Sequence, residues 1–473
     1  MKLNWIETTN WIYSTEYWSL IWMSIIVGVY SYYIDGKENS DRHAILNKTL
    51  GWIIGITLIN FNNWLILIGG LMILTIVLKV KESEWVFLVL INILGIIIMI
   101  NSKEILSFYL SIEIQSLSTV LLISYKYKKE GKRIEATLKY FFLSGLNSCI
   151  ILLGLIQIWM NTGLDNWIEL EIYLDIEKWE TIGFKVLIFG LFFKLGAAPL
   201  HYWIVDVYEA AQKWIVKFLA TIPKVAVIQF LSMRMMILYA HWNVIYGQTF
   251  YWIGMIISLW SSVIGAIQGL NQRNLWRLMG YSTIMNNGFI ILGIYCFNWV
   301  NNLNNEILTL YMGVYAITII GIFYILMWYN IEKLEDLLRL NTYREIEKIT
   351  LTILLFSLIG IPPLLGFFSK ALIMVTAIES NMYWFLCWIL VTSVISSYYY
   401  LRIIEQLTLD NRGWTEFNKF SSLKKGGILK LGKQEKWTIK ILMSQIRLKN
   451  KYELEVIWLS QILFFTIFGW ILI

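Results

Sequence analysis

The stretch VLIFGLFFKLGAAPLHYWIVDVYEA, residues 186–210, decides the fold of this chain. It is apolar over most of its length, yet it carries Lys194 and, five residues later, Pro199. Proline removes a backbone hydrogen-bond donor and clashes with the preceding turn, so a helix should break here. The 473 residues contain only four prolines, and the others lie in ATIPKVAV (220–227) and IGIPPLLGFFSK (359–370), each close to a lysine. We therefore expect long helices that are interrupted beside buried charges.

The composition is that of a multi-pass membrane protein. Hydrophobic residues make up 58% of the chain and charged residues only 15%. The apolar runs approach the roughly 20 residues that a helix needs to cross a hydrocarbon core of about 30 Å. A transmembrane barrel would show alternating segments of about 10 residues, and the chain shows none. The net charge of +7 comes mostly from residues between apolar runs, so it indicates orientation in a membrane and not nucleic-acid binding.

The cysteines and the first apolar run argue against a disulfide-bonded protein, a metalloprotein and a protein with a cleaved signal. Cys149, Cys296 and Cys387 lie inside apolar runs, without a CxxC pattern or a histidine at ligand spacing. We expect no disulfide, zinc site or iron-sulfur cluster in this chain. The first apolar run, 17–33, lacks a basic leader and a small-residue cleavage site, which predicts a retained span and not a cleaved signal.

The apolar runs predict an all-α bundle of about 14 transmembrane helices. The run 45–80 is too long for one crossing and divides near Asn60–Trp64. Two segments, 181–212 and 346–375, are long and interrupted at prolines. The single spans are 17–33, 84–101, 104–124, 135–160, 215–238, 250–270, 276–297, 305–330, 381–404 and 456–473.

The loops give an orientation. The loops 126–133, 271–277 and 405–455 are basic and are separated by even numbers of spans, so they share one side, while the acidic loop 161–180 lies opposite. Residues 411–451 contain eleven Lys or Arg against two Glu. The loop 405–455 is either a solvated matrix-side loop or a docking surface for a neighbouring subunit or an anionic lipid such as cardiolipin.

Four ionisable residues fall where a charge is most costly, near mid-membrane. They are Glu113, Lys194, Lys224 and Lys370. Each costs about 2.5 to 3.5 kcal/mol at the centre of a span, so together they predict a polar path through the protein interior. Three other basic residues lie nearer span ends, where the long side chain is expected to reach the interface: Lys139, Lys185 and Arg234.

The layout of the spans predicts two inverted repeats. Residues 84–238 and 250–404 would each contribute five spans, and the broken helix is the fourth in each set. Five is odd, so the second set would run in the opposite direction through the membrane, as in transporters with broken helices at their ion sites. The remaining units are the N-terminal helices 1–80, the basic loop 405–455 and the C-terminal helix 456–473.

Six stretches of this chain resemble the antiporter-like subunit N family of respiratory complex I, whose mitochondrial members are NADH dehydrogenase subunit 2. The resemblance covers about residues 84–404. The stretches are FYLSIEIQSLS (108–118), EATLKYFFLSG (135–145), FKLGAAPLHYWIVDVYEA (193–210), KFLATIPKVAV (217–227), RLMGYSTIMNNGF (277–289) and GIPPLLGFFSKALI (360–373).

The resemblance implies a proton-translocating subunit of NADH:ubiquinone oxidoreductase in the mitochondrial inner membrane. Glu113 and Lys194 match the family's glutamate–lysine pair, Lys224 its central lysine and Lys370 the lysine of the second broken helix. His201 matches a histidine that either hydrogen-bonds freed backbone or relays protons. The partners would be the other membrane-arm subunits, including the sister antiporter-like subunits. NADH, FMN, iron-sulfur clusters and ubiquinone would belong to other subunits, with no cofactor in this chain.

Two departures from the family's pattern carry expectations. Val205, Gln212 and Trp214 stand where relatives have prolines, so we expect more regular helix beyond the first break. Asn286 stands where relatives often have a histidine, and it cannot titrate, so a relay at this point needs water. Two other functions remain open: a subunit of a sodium/proton antiporter, and a scaffold subunit that pumps nothing.

Overall fold

The computed structural model describes residues 84–125, 130–170, 182–232, 247–296, 303–342 and 345–408. The predicted spans 17–33, 45–80 and 456–473 and nearly all of the loop 405–455 lie outside these residues. The described residues form α-helices, one 3-10 helix at Leu334–Thr342, two isolated β-bridges and no strand. Five of the helices are long and apolar enough to cross a membrane.

The helices follow the predicted spans within a few residues, except where a span is interrupted. In chain order they are α1 (Glu84–Asn101), α2 (Ile105–Ser124), α3 (Glu130–Thr162), α4 (Ile182–Leu195), α5 (Tyr202–Ala210), α6 (Lys213–Leu219), α7 (Ile222–Phe230), α8 (Gly247–Leu270), α9 (Leu275–Tyr295), α10 (Leu303–Trp328), α11 (Glu345–Ile359), α12 (Leu365–Glu379) and α13 (Tyr383–Thr408).

The helix surfaces are arranged as in a membrane protein. On α3, Ser144 and Asn147 are buried, whereas Phe142 and Leu146 are 67% and 61% exposed. The polar side chains therefore face the neighbouring helices and the large apolar side chains face outward. This is the distribution expected when lipid, and not water, surrounds the bundle.

Small residues allow close packing between α3 and α4. A Cβ atom on Gly154 would lie 2.8 Å from the Gly183 carbonyl oxygen, and one on Gly183 would lie 2.6 Å from the Gly154 carbonyl oxygen. The two backbones thus touch directly, as is common where helices pack within a bilayer. This contact fixes α4, the helix that carries Lys194.

The two predicted breaks have the same backbone design. The first helix of each broken segment ends at a glycine with positive φ, 72° at Gly196 and 90° at Gly360, a conformation that favours glycine. In both, the amide of the following residue bonds back to the carbonyl five residues earlier, closing the helix end. A cis proline, Pro199 or Pro363, follows three residues after the glycine. The predicted interruptions of 181–212 and 346–375 are confirmed.

The span predicted at 215–238 is wrong as a continuous helix. It is divided into α6 and α7 around Thr221, whose hydroxyl donates 3.0 Å to the Lys217 carbonyl oxygen. The reason is Pro223, which has no amide hydrogen for the Leu219 carbonyl and lies in the first turn of α7, where proline is tolerated. Lys224 therefore lies in the first turn of α7 and not in the middle of a continuous helix.

The expectation of regular helix beyond the first break is also wrong. Ala211 and Gln212 are extended, and they separate α5 from α6 although neither position is a proline. The Trp214 indole donates to the Gln212 side-chain oxygen at this corner. A side-chain contact thus accompanies the turn between α5 and α6.

Candidate functional site

Glu113 and Lys194 are brought together by α2 and α4. Their opposite charges interact, but no ion pair within 4 Å joins these two described side chains. One carboxylate oxygen of Glu113, Oε1, is buried without a hydrogen-bond partner, and Oε2 accepts a bond of 3.3 Å from the Ser116 hydroxyl. Tyr109, one turn earlier on α2, lies beside the same carboxylate. The carboxylate therefore keeps one oxygen without a hydrogen-bond partner among the described residues.

Lys194 lies in the last turn of α4, immediately before the first break. The last carbonyls of a helix have no partners within it and carry partial negative charge, which stabilises a cation there. Two of the carbonyl oxygens at this end are bonded by other side chains. Asn287 donates 2.6 Å to the Leu195 oxygen, and Trp203 donates 3.1 Å to the Phe193 oxygen.

Lys370 occupies the corresponding end at the second break. It lies on α12, but its Nζ atom donates 2.5 Å to the Leu358 carbonyl oxygen and 3.3 Å to that of Ile359, at the end of α11. The ammonium also lies 5.3 Å from the Phe289 ring centroid. Both lysines of the broken segments thus lie at the carbonyl end of an interrupted helix.

Lys224 is 1% exposed, and its Nζ atom has no hydrogen-bond partner within the described part of the chain. Its closest charge-stabilising contact is the face of the Tyr208 ring, with 5.9 Å from Nζ to the centroid. A cation–π contact contributes about 2 kcal/mol or somewhat more when desolvated, which offsets only part of the free-energy cost of burying an ammonium. The position disfavours the charged form of this lysine.

His201 is buried at the first break, and its ring stacks on Tyr202 at 4.6 Å. It is the residue before α5, but its side chain makes no capping hydrogen bond to that helix. Its Nδ1 atom has no hydrogen-bond partner among the described residues. The ring is therefore available at Nδ1 for a water molecule or a proton.

An ion network ties α3, α5 and α9 together at one end of the bundle. Arg277 bonds Glu209 at 2.7 Å and Asp206 at 3.3 Å, and these carboxylates also bind Lys132 at 2.7 Å and Lys139 at 2.8 Å. Lys139, which is expected to reach the interface, has a side chain that is 45% exposed, and it also pairs with Asp206 of α5. The network holds α5, which carries Tyr208, after the first break.

A cavity of about 670 Å³ opens beside this network. Its walls contain four basic and three acidic side chains, which are Lys132, Arg273, Lys333, Arg402, Glu209, Glu332 and Glu335. Two of them, Lys132 and Glu209, belong to the ion network. Glu209, in the cavity wall, follows Tyr208 along α5.

Sequence reasoning found the buried charges but missed the neutral polar residues around them. Asn287 and the buried hydroxyls of Tyr311, Tyr315 and Tyr400 were not predicted to have a role. A usable signal was present for Asn287, since two adjacent asparagines interrupt an apolar run. The tyrosines gave none, because the chain has 27 of them and many are expected at membrane interfaces.

Two of the bacterial relatives with similar sequences are subunits N of NADH-quinone oxidoreductase. The protein from Wolbachia sp. subsp. Brugia malayi is 35% identical over 354 residues, covering 73% of this chain and 75% of the relative. The protein from Pelagibacter ubique is 32% identical over 367 residues, covering 74% and 75%.

Solved structures show the same fold in respiratory and antiporter complexes. A chain of respiratory complex I from Thermus thermophilus has a TM-score of 0.68 at 23% identity, over 84% of this chain and 90% of that one. A chain of the Mrp complex from Dietzia sp. DQ12-45-1b has a TM-score of 0.68 at 15% identity, over 83% and 78%.

A family model described as the NADH:quinone oxidoreductase/Mrp antiporter transmembrane family matches residues 102–396, which contain Glu113, the three lysines and both breaks. This chain is a multi-pass membrane protein that belongs to that family, within its NADH-quinone oxidoreductase subunit N members.

Proposed function

We propose that this chain moves protons across the membrane as a membrane-arm subunit of an NADH:ubiquinone oxidoreductase. The observation that carries the proposal is Lys224, a fully buried amine without a hydrogen-bond partner in the described residues. It lies in the interior between two broken segments, each with a lysine at a helix end. Such a lysine is a poor structural anchor but a suitable transient proton carrier.

The proton moves through side chains of this chain in the proposed mechanism. While Glu113 is ionised and near, it stabilises the ammonium of Lys194. When the carboxylate is protonated or displaced, burial disfavours the ammonium and Lys194 releases its proton. Lys224 receives the proton, and Lys370 passes it toward the other side. His201 lies beside the first break, where its free Nδ1 suits a relay from water.

The free energy comes from quinone reduction in other subunits, so this chain moves only protons. NADH, FMN, iron-sulfur clusters and ubiquinone belong to those subunits in the proposal. The partners are the other membrane-arm subunits, including the sister antiporter-like subunits, with lipid such as cardiolipin against the basic loop 405–455. What supports membrane-arm partners is that the similar solved chains come from multi-subunit complexes.

The inverted five-helix repeats 84–238 and 250–404 are part of the proposal. They are supported by the two breaks, which share the positive-φ glycine, the cis proline three residues later and a lysine at the helix end. A pair of breaks facing opposite sides would give the path two half-channels that meet near Lys224.

The proposed compartment is the mitochondrial inner membrane, with a bacterial plasma membrane as the alternative. The support is compositional: only four prolines in 473 residues and abundant isoleucine suit an AT-rich organellar genome. Finding the gene in mitochondrial DNA of the source organism supports this compartment, and finding it in a bacterial chromosome rejects it.

Purification of the intact assembly tests the proposed function against its rivals. We expect the chain to copurify with flavin and iron-sulfur proteins and NADH oxidation to acidify one side of reconstituted vesicles. A sodium/proton antiporter would instead copurify without redox proteins and acidify vesicles in response to a sodium gradient. A scaffold subunit would allow NADH oxidation with unchanged pumping when Lys194 and Lys370 are replaced by methionine.

A further inference from the structure

The described residues leave a gap between Lys224 and Lys370 with no titratable histidine in it. Lys224 faces the Tyr208 ring of α5, and Lys370 faces the Phe289 ring of α9. Phe289 stacks on Tyr311 of α10, with 6.4 Å between the ring centroids. A proton that moves from one lysine to the other therefore has to pass through the region between α5, α9 and α10.

This region contains a set of buried residues with hydroxyl groups, which we name the tyrosine cluster. Its members come from four helices, α5, α9, α10 and α13, and each is at most 3% exposed. They are Tyr208, Ser282, Tyr311, Tyr315, Tyr399 and Tyr400.

Hydrogen bonds and side-chain packing connect the tyrosine cluster. The Tyr400 hydroxyl donates 2.7 Å to the Ser282 hydroxyl, and the Tyr311 hydroxyl donates 3.1 Å to the side-chain oxygen of Asn286. The Asn286 amide nitrogen donates 2.8 Å to the Ser282 carbonyl oxygen. The Tyr399 and Tyr400 ring centroids lie 4.5 Å apart. One cluster of packed, buried side chains contains Tyr315, Tyr399, Tyr400 and also Tyr208, the residue under Lys224. The cluster thus spans from the contact of one lysine to that of the other.

Several polar atoms of the cluster are buried without hydrogen-bond partners among the described residues. They are the hydroxyl groups of Tyr208, Tyr315 and Tyr399. Lys224 Nζ, which also has no partner there, lies 5.9 Å from the centroid of the Tyr208 ring. Each buried polar group that lacks a hydrogen-bond partner destabilises the fold by about 1 to 3 kcal/mol. A buried water typically makes about three hydrogen bonds to such groups. These atoms therefore form a polar site suited to bridging water.

We propose that the tyrosine cluster, bridged by water, relays protons between Lys224 and Lys370 and that Asn286 positions Tyr311 within it. This inference rests on the proposed function. The Lys224 ammonium gives its proton to a neighbouring oxygen, whose own proton moves to the next oxygen, until the last proton binds the neutral Lys370 amine. Every hydroxyl and water is neutral before and after the transfer, and rotation of the O–H bonds resets the path.

Tyr315→Phe in the intact complex, reconstituted in vesicles with NADH as substrate, tests the relay. The Tyr315 hydroxyl has no hydrogen-bond partner among the described residues, so a purely structural role predicts unchanged or higher stability and normal pumping. The relay predicts NADH-driven proton pumping slowed by about tenfold or more. Tyr140→Phe is the matched control, because it removes a buried hydroxyl that bonds Thr119 at 2.8 Å outside the cluster, and it should pump normally.

Variants of Asn286 test its positioning role. Asn286→Leu should slow pumping, and Asn286→His should restore it, because imidazole accepts the Tyr311 hydrogen bond and also titrates. Parental pumping in both Tyr315→Phe and Asn286→Leu overturns the relay. If Lys224→Met still impairs pumping in that case, the proposed function stands without the relay, and if Lys224→Met also pumps normally, both fail.

Discussion

The lysines at the two breaks differ in how their charge is stabilised. Lys370 donates directly to two carbonyl oxygens of α11, whereas at the first break Asn287 and Trp203 take carbonyls of α4 and leave Lys194 to interact with Glu113. Lys194 therefore depends on a partner that can change its protonation, and Lys370 depends on fixed backbone. This difference places the switch at Lys194.

Replacing Glu113 by glutamine tests that switch. Glutamine keeps the shape of the side chain but removes the charge that interacts with Lys194, so we expect NADH-driven pumping to fall by about tenfold. Glu104→Gln, an exposed carboxylate just before the same helix, is the control and should pump normally. The measurement is proton translocation per NADH oxidised in vesicles, and parental values for Glu113→Gln would contradict the switch.

At the scale of helices, the breaks at Pro199 and Pro363 could be predicted because proline and glycine act on the local backbone. The sequence predicts one continuous span where α6 and α7 are separate helices, although Pro223 marks the position of the division. The turn at Ala211 and Gln212 gave no local signal, since it depends on how α5 and α6 pack against other helices. Helix breaks caused by proline or glycine can be predicted from the sequence, whereas turns that depend on tertiary packing cannot.

The candidate site shows the same limit. A charged residue in an apolar run is visible because its burial is costly, so Glu113 and the three lysines could be identified. The contacts of those residues could not, because they join helices distant in sequence: Asn287 bonds the Leu195 carbonyl, and Tyr400 bonds Ser282. Neutral polar residues become informative only when the fold brings them together.

Gly360 provides a prediction about a helix end. Its φ of 90° is unfavourable for other residues, and a Cβ there would lie 3.3 Å from the Lys370 side chain. We expect Gly360→Ala to destabilise this end by about 1 to 2 kcal/mol and to lower the temperature of half-inactivation of the complex. Gly145→Ala, where a Cβ meets nothing within 4 Å, should leave that temperature unchanged. Equal temperatures for the two variants would show that the positive φ does not matter.

At the scale of the whole molecule, the described helices carry polar side chains inside and large apolar side chains outside. The ion network and the cavity lie together at the Lys132 end of α3, near the turn that contains Arg273. The turn after α3, around Asp165, lies at the other end of that helix. The fold therefore agrees with the opposite orientations that the loop charges predict.

Cysteine labelling tests this orientation. In a variant whose three native cysteines are replaced by serine, Asn271→Cys and Asp165→Cys place single thiols at exposed positions. We expect a membrane-impermeant maleimide to label them from opposite sides, one in right-side-out vesicles and the other in inverted vesicles. Labelling of both thiols from the same side would contradict the orientation.

The most direct test of the proton path is the pumping ratio of a Lys224→Met complex. Methionine fills a similar volume without the buried amine, so the complex should assemble, and Lys348→Met, at the start of α11, provides the control. The account predicts that protons translocated per NADH oxidised, or the coupled rate itself, falls by about tenfold in Lys224→Met alone. An assembled Lys224→Met complex that pumps at the parental ratio and rate would contradict the claim that protons pass through this lysine.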